Sequence, residues 1–171
     1  MARSKLVRRP GGGNLYTVSD TVHVNAPIER CFLLSTSIDL VALTLQMRPV
    51  EGKKTGLITM DDRILWTGWK FGLPQRHETL ITGYDAPNFF QDTMGKGRFQ
   101  WFQHDHSFTQ IGNHTLLHDK VRFSLPFGIL GSIVARQLMV PYIAGLVRRR
   151  FLLLKRMAES EGWRQYLPDQ Q

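Results

Sequence analysis

The clearest pattern in the chain is a strict alternation at Phe102-Gln103-His104-Asp105-His106-Ser107-Phe108. Successive side chains of a β-strand point to opposite faces. Phe102, His104, His106 and Phe108 therefore share one face, and Gln103, Asp105 and Ser107 share the other. The run that follows puts Leu117, Asp119, Val121, Phe123 and Leu125 on one face and His118, Lys120, Arg122 and Ser124 on the opposite one. If residues 111–114 form a four-residue hairpin loop, a common length, residue i lies opposite residue 225 − i. That predicts the pairs Phe108–Leu117, His106–Asp119, His104–Val121 and Phe102–Phe123. A slip of one residue would set an apolar face against a polar one.

The rest of the chain divides in the same way. Leu15 to Val24 alternates and predicts a strand. Asn25-Ala26-Pro27 opens a short helix through Leu34, with Asn25 as its cap and proline in the first turn. Ser37 caps a second helix to about Gln46. Pro49 to Arg63 is a weak strand or turn region, and Ile64–Phe71, Arg76–Tyr84 and Asn88–Met94 are strands separated by Gly72-Leu73-Pro74 and Asp85-Ala86-Pro87. Gly95-Lys96-Gly97 leads into the alternating stretch. Beyond Phe127 the period changes: Leu130, Val134, Leu138, Leu146, Val147, Phe151, Leu154 and Ala158 recur at helical spacing, predicting one long amphipathic helix over residues 129–158 that kinks or restarts at Pro141. A curling antiparallel meander followed by one amphipathic helix packs most economically with the sheet wrapped around the helix. Such an arrangement leaves a cavity between them.

Length and charge narrow the picture. A chain of 171 residues that is 42% hydrophobic is one domain with a real core. The net charge of +8 lies at the ends: residues 1–10 contribute +4 through Arg3, Lys5, Arg8 and Arg9, and residues 129–171 contribute +4, while the body is neutral. Residues 1–13, basic and ending in Gly11-Gly12-Gly13, are expected to be a flexible tail before a single domain at 14–167. No specific nucleic-acid contact is expected, and the tail makes contact with an anionic membrane a secondary alternative. The one cysteine, Cys31, fits a reducing, cytoplasmic setting; its Cys-Phe-Leu-Leu context is that of a core residue. No secretory signal and no apolar run of membrane-spanning length is expected.

Several short stretches in this order resemble a known group. They are Val24-Asn25-Ala26-Pro27-Ile28-Glu29-Arg30-Cys31-Phe32, Phe71-Gly72-Leu73-Pro74-Gln75, Ile81 to Pro87, Phe90-Gln91-Asp92-Thr93-Met94, His104 to Phe108, Asp119, Pro126-Phe127-Gly128, Pro141-Tyr142 and Arg149-Arg150. Together they span nearly everything from Leu15 to Leu167. The chain resembles the bacterial ligand-binding SRPBCC proteins, START-like and polyketide cyclase/dehydrase-like. The resemblance implies an α+β helix-grip fold: a curved antiparallel sheet of about six or seven strands around a long C-terminal helix, with two short helices after the first strand. It also implies a hydrophobic cavity, but no single reaction, because the fold hosts carriers, receptors and enzymes.

The candidate chemistry sits on the alternating face. His104, His106, Asp119 and Asp92 are the polar groups placed among phenylalanines. They can form a satisfied buried network, an acid/base pair acting on a bound carbonyl or hydroxyl compound, or a metal site; nothing else in the chain supports a metal, and no metal or cofactor is expected. The candidate ligand-binding residues are Trp66, Phe90, Met94, Phe102, His104, His106, Phe108, Asp119 and Phe123. Trp66 and Trp69 have opposite parity, so at most one faces the cavity. Of Arg148-Arg149-Arg150, a solvated face plus one ion pair is expected. The function expected is binding of a small hydrophobic or aromatic molecule by a monomer or homodimer. A cyclase or dehydratase using His104, His106 and Asp119 is the first alternative, and a partner- or membrane-surface-binding protein is the second.

Overall fold

The alternating segments form strands and the helically periodic ones form helices. The computed structural model describes residues 3–8 and 14–167. In chain order these form β1 (Arg3–Arg8), β2 (Asn14–Val24), α1 (Ile28–Thr36), α2 (Ile38–Leu45), β3 (Arg48–Gly52), β4 (Arg63–Lys70), β5 (Leu73–Asp85), β6 (Phe89–Met94), β7 (Trp101–Ile111), β8 (His114–Ser124), α3 (Gly128–Val134) and α4 (Val140–Ala158). A π-helical turn, Ala135–Met139, joins α3 to α4. Pro141 stands in the first turn of α4, directly after this π-helical turn.

All eight strands make one antiparallel sheet in the order β1-β2-β8-β7-β6-β5-β4-β3. Two more strands are present than the lower expectation. The weak segment after Pro49 does pair, as β3, and Arg3–Arg8 of the expected flexible tail pairs with β2 from Arg3↔Ser19 to Arg8↔Asn14. Residues 1–2 and 9–13 of that tail lie outside the described residues. The β7–β8 register is the predicted one, with Phe102↔Phe123, His104↔Val121, His106↔Asp119 and Phe108↔Leu117. Pairing extends to Ile111↔His114, so the connection is the two residues Gly112-Asn113 rather than four. Gly112 has φ +59°, a conformation glycine adopts without a Cβ clash, which permits the tighter turn.

α1 and α2 lie where expected, but neither is capped by a side chain. The cap position of α1 is Pro27, and the Asn25 backbone N–H instead donates to Glu159 Oε1 at 2.7 Å, tying the start of α1 to the end of α4. Phe32 from α1 is fully buried, with ring centres 5.4 Å from Tyr84, 5.9 Å from Phe90 and 5.4 Å from Phe108, all edge to face. α4 buries Ile143, Val147, Phe151, Leu154 and Ala158, one stripe at helical spacing. This is the helix-grip, START-like fold.

α3 is a different kind of helix. Phe127 is 81% exposed, Ile129 84% and Leu130 65%, and Ile133, Val134 and Leu138 are exposed as well. The combined helical stretch Gly128–Ala158, 31 residues long, is apolar enough to cross a membrane by length and composition, contrary to expectation. Its α4 half is occupied with the core. Its α3 half carries its apolar side chains on the outside.

Candidate ligand cavity and its polar cluster

Between the concave face of the sheet and the helices lies a cavity of about 450 Å³. Its walls are mostly apolar: Ile58 and Trp66 on one side, Phe90, Phe102 and Val121 along the sheet, and Ile143 and Val147 from α4. Trp66 is fully buried, its indole N–H donating to Thr79 Oγ1 at 3.1 Å, whereas Trp69 is 70% exposed, as their opposite parity requires. The exposed Phe71, Leu73, Val134 and Leu138 also border the cavity, so its open side is continuous with the apolar face of α3. Phe71 meets Tyr142 there, ring centres 4.9 Å apart. Lys70, Arg76 and Arg98 stand at the same rim.

The polar groups are gathered at one place. The strand registers put Asp92 opposite His104, and His106 opposite Asp119. His106 Nδ1 lies 2.9 Å from Asp119 Oδ1, and its Nε2 lies 3.0 Å from Asp92 Oδ2. A neutral ring has only one N–H, so a ring protonated on both nitrogens is the form that donates to both carboxylates. His104 stands beside it, ring centres 3.7 Å apart, with Nε2 3.4 Å from Asp119 Oδ2 and Nδ1 3.8 Å from Asp92 Oδ2. Phe90 stacks on His106 at 4.0 Å. Arg150 of α4 completes the cluster, with one guanidinium nitrogen 3.5 Å from Asp119 Oδ2.

Electrostatics follow from that packing. Burial opposes ionisation of Asp119, but Arg150, His106 and His104 together hold its carboxyl well below the usual carboxylate range. Burial acts the same way on Asp92, and His106 and His104 again reverse it. For His104, burial and the neighbouring His106 prevail over the two carboxylates and lower its pKa. Arg150 is only 7% exposed, and its two terminal guanidinium nitrogens have no hydrogen-bond partner among the described residues. A buried donor that makes no hydrogen bond costs about 1–3 kcal/mol.

Of the residues expected to bind ligand, Trp66, Phe90, Phe102, His104 and His106 line the cavity, and Asp92 does too. Met94, Phe108, Asp119 and Phe123 do not. They share the correct face, but Phe108 and Phe123 are buried in the aromatic core and Asp119 lies behind the two histidines. Among the lining residues that sequence reasoning did not name as binding ligand are His77 and Arg150. His77 sits opposite Trp66, its ring edge-on to Phe102 at 5.6 Å, and burial lowers its pKa. Arg150 falls on the buried stripe Ile143, Val147, Arg150, Leu154, and that spacing was the available signal. Arg148 and Arg149 are exposed, so the triplet divides as expected. Cys31 is buried in the core, its thiol pushed up to about 11, chiefly by burial.

Neither a protein-family model nor a curated protein sequence matches this chain. Solved structures do. The Thermus thermophilus protein TTHA0849 superposes with a TM-score of 0.62 at 17% identity, covering 81% of this chain and 96% of that one. The di-domain ARO/CYC BexL of the BE-7585A biosynthetic pathway gives 0.68 at 14% identity, over 85% of this chain and 50% of that one. Major latex-like protein 151 of Panax ginseng gives 0.60 at 6% identity, covering 85% and 99%. The fold is common to all of them.

Proposed function

We propose that the protein binds a small hydrophobic or aromatic molecule bearing an oxygen at one end. The observation that carries this reading is the cavity itself: apolar walls enclosing about 450 Å³, with one polar cluster. The walls supply affinity and the cluster supplies orientation. Arg150 Nη1 faces Asp119, and neither terminal nitrogen makes a hydrogen bond among the described residues, so the complementary group is an acceptor: a carbonyl, phenolate or carboxylate oxygen. The neutral dye N-phenyl-1-naphthylamine tests the apolar part. It should brighten on binding with one site per chain, and Leu146→Trp, which fills the cavity, should abolish the effect. A folded wild-type protein that leaves the dye dark would end the proposal. 1-Naphthoate should displace the dye more strongly than naphthalene, and Arg150→Met should remove that preference.

A second reading concerns where such a ligand comes from. The open side of the cavity adjoins the exposed Phe127, Ile129, Leu130 and Ile133, with Lys70, Arg76, Arg98 and the α4 arginines nearby. Apolar side chains flanked by cations match an anionic bilayer surface. The protein should float with vesicles containing phosphatidylglycerol and much less with pure phosphatidylcholine. Ile129→Asp/Leu130→Asp should abolish flotation while leaving dye binding intact. Equal flotation of that variant would sink this reading alone.

A further inference from the structure

We propose that Asp92, His104 and His106 form a binding site for one divalent first-row transition metal ion at the wall of the cavity. One donor atom from each of the three lies within 4.8 Å of the others. Asp92 Oδ2 is 3.0 Å from His106 Nε2 and 3.8 Å from His104 Nδ1. In a four-coordinate site with bonds of about 2.1 Å, neighbouring donors stand roughly 3.4 Å apart. These two separations bracket that value, and the third pair, His104 and His106, has its donors within 4.8 Å.

The arrangement behind the histidines carries the inference. The two oxygens of one carboxylate, Asp119, face the rear nitrogens of both rings: Oδ1 at 2.9 Å from His106 Nδ1, and Oδ2 at 3.4 Å from His104 Nε2. A carboxylate behind a histidine fixes which nitrogen keeps the proton and turns the other lone pair toward the metal. Here Asp119 Oδ1 does this for His106 through a hydrogen bond, its Oδ2 stands beside His104 Nε2 as an ionic contact, and both forward nitrogens converge on Asp92. Asp92, His104 and His106 line the cavity and Asp119 does not, so the three candidate ligands stand at the cavity wall and Asp119 stands behind it. Two histidines and one carboxylate with an open position suit Zn²⁺, Fe²⁺ or Co²⁺ better than Mg²⁺ or Ca²⁺.

Charge agrees with the geometry. Asp92, Asp119 and Arg150 with two neutral imidazoles sum to −1, and a divalent ion makes the cluster +1. Any proton held on a ligating nitrogen is released to solvent when the ion binds. A ligand oxygen can then complete the coordination from the cavity side. This last point rests on the ligand-binding reading; the metal site does not.

Co²⁺ titration of the wild-type protein, followed by visible absorption and equilibrium dialysis, tests the proposal. One Co²⁺ per chain should bind at micromolar concentration, with a d–d band in the visible. Asp92→Asn and His104→Gln should each abolish the band. Asp119→Asn should weaken binding about 10–100-fold. His118→Ala, on the outer face of β8, should change nothing. A wild-type far-UV circular dichroism spectrum and a cooperative urea transition would establish that Asp92→Asn and His104→Gln remain folded. Absence of stoichiometric uptake by the wild type overturns the proposal, as does undiminished uptake by both Asp92→Asn and His104→Gln. Failure of the dye to bind wild-type protein that takes up Co²⁺ would instead remove the ligand reading and leave the metal site standing.

Discussion

Phe32 and Cys31 are neighbours in sequence, both fully buried, and they illustrate what burial does to an apolar ring and to a titratable thiol. Phe32 fills the space between Tyr84, Phe90 and Phe108. Phe32→Ala removes those contacts and leaves a void, so it should cost about 3–5 kcal/mol. Urea unfolding measures this; a loss below ~1 kcal/mol would mean that the site collapses around the alanine. For Cys31, burial disfavours the thiolate more strongly than its hydrogen bond with Thr115 and the charge of Arg30 favour it. Iodoacetamide at pH 8 should leave the native thiol unmodified and label it fully in urea. Rapid native labelling would show that α1 opens. Both residues were legible in the sequence as core. Arg150 was legible only in part: its spacing marked the buried stripe, but nothing in the sequence pointed its side chain at Asp119 on a strand far away in the chain.

At the scale of elements, the hairpin β7–β8 was legible in full register because a slip of one residue would set the Phe102–Phe108 face against the polar face of β8. The outer face is organised too: Asp105 accepts from Arg122 at 2.6 Å and from Gln91 and Gln103, each at 2.8 Å. The β3–β4 connection was not legible, because its order rests on one side chain among many polar ones. Asp62 Oδ2 accepts from Lys53 Nζ at 2.7 Å, from the Thr59 N–H at 2.6 Å and from the Thr59 hydroxyl at 2.9 Å. Slight burial works against its ionisation, but these bonds prevail and lower its pKa. A depressed folded-state pKa gives stability that is present above the unfolded value, about 3.9, and lost as pH falls through the folded one. Asp62→Asn should therefore destabilise by about 1–2 kcal/mol at pH 7, discounted for partial exposure. The gap to wild type should close below about pH 4. Urea midpoints of the two proteins at pH 7, 5 and 3.5 check the sign; a gap independent of pH would mean that the carboxylate charge is not what holds the connection.

For the whole molecule, the N-terminal strand lies at one edge of the sheet, separated by β2 from the strands that line the cavity. β1 is the strand beyond β2, and the cavity is lined from β4 to β8. Deleting residues 1–13 should shift Tm by only a few degrees and leave dye binding unchanged, because seven strands and the whole core remain. A fall of many degrees would mean that β1 is integral to the domain. The sequence alone determined the order of the main elements from β2 onward, the inward face of β7 and β8, their register and the helix that covers the sheet. All of these follow from periods of 2 and 3.6 and from turn chemistry, which act over a few residues. Only the tertiary structure decided which inward-facing residues border empty space and which are packed solid: Phe102 from Phe123, His104 from Asp119. It alone decided that Arg150 reaches Asp119 and that α3 leaves its apolar side chains outside. Those outcomes depend on how far the sheet curves and where the helix crosses it. Such distances are summed over the whole chain, and no local pattern encodes them.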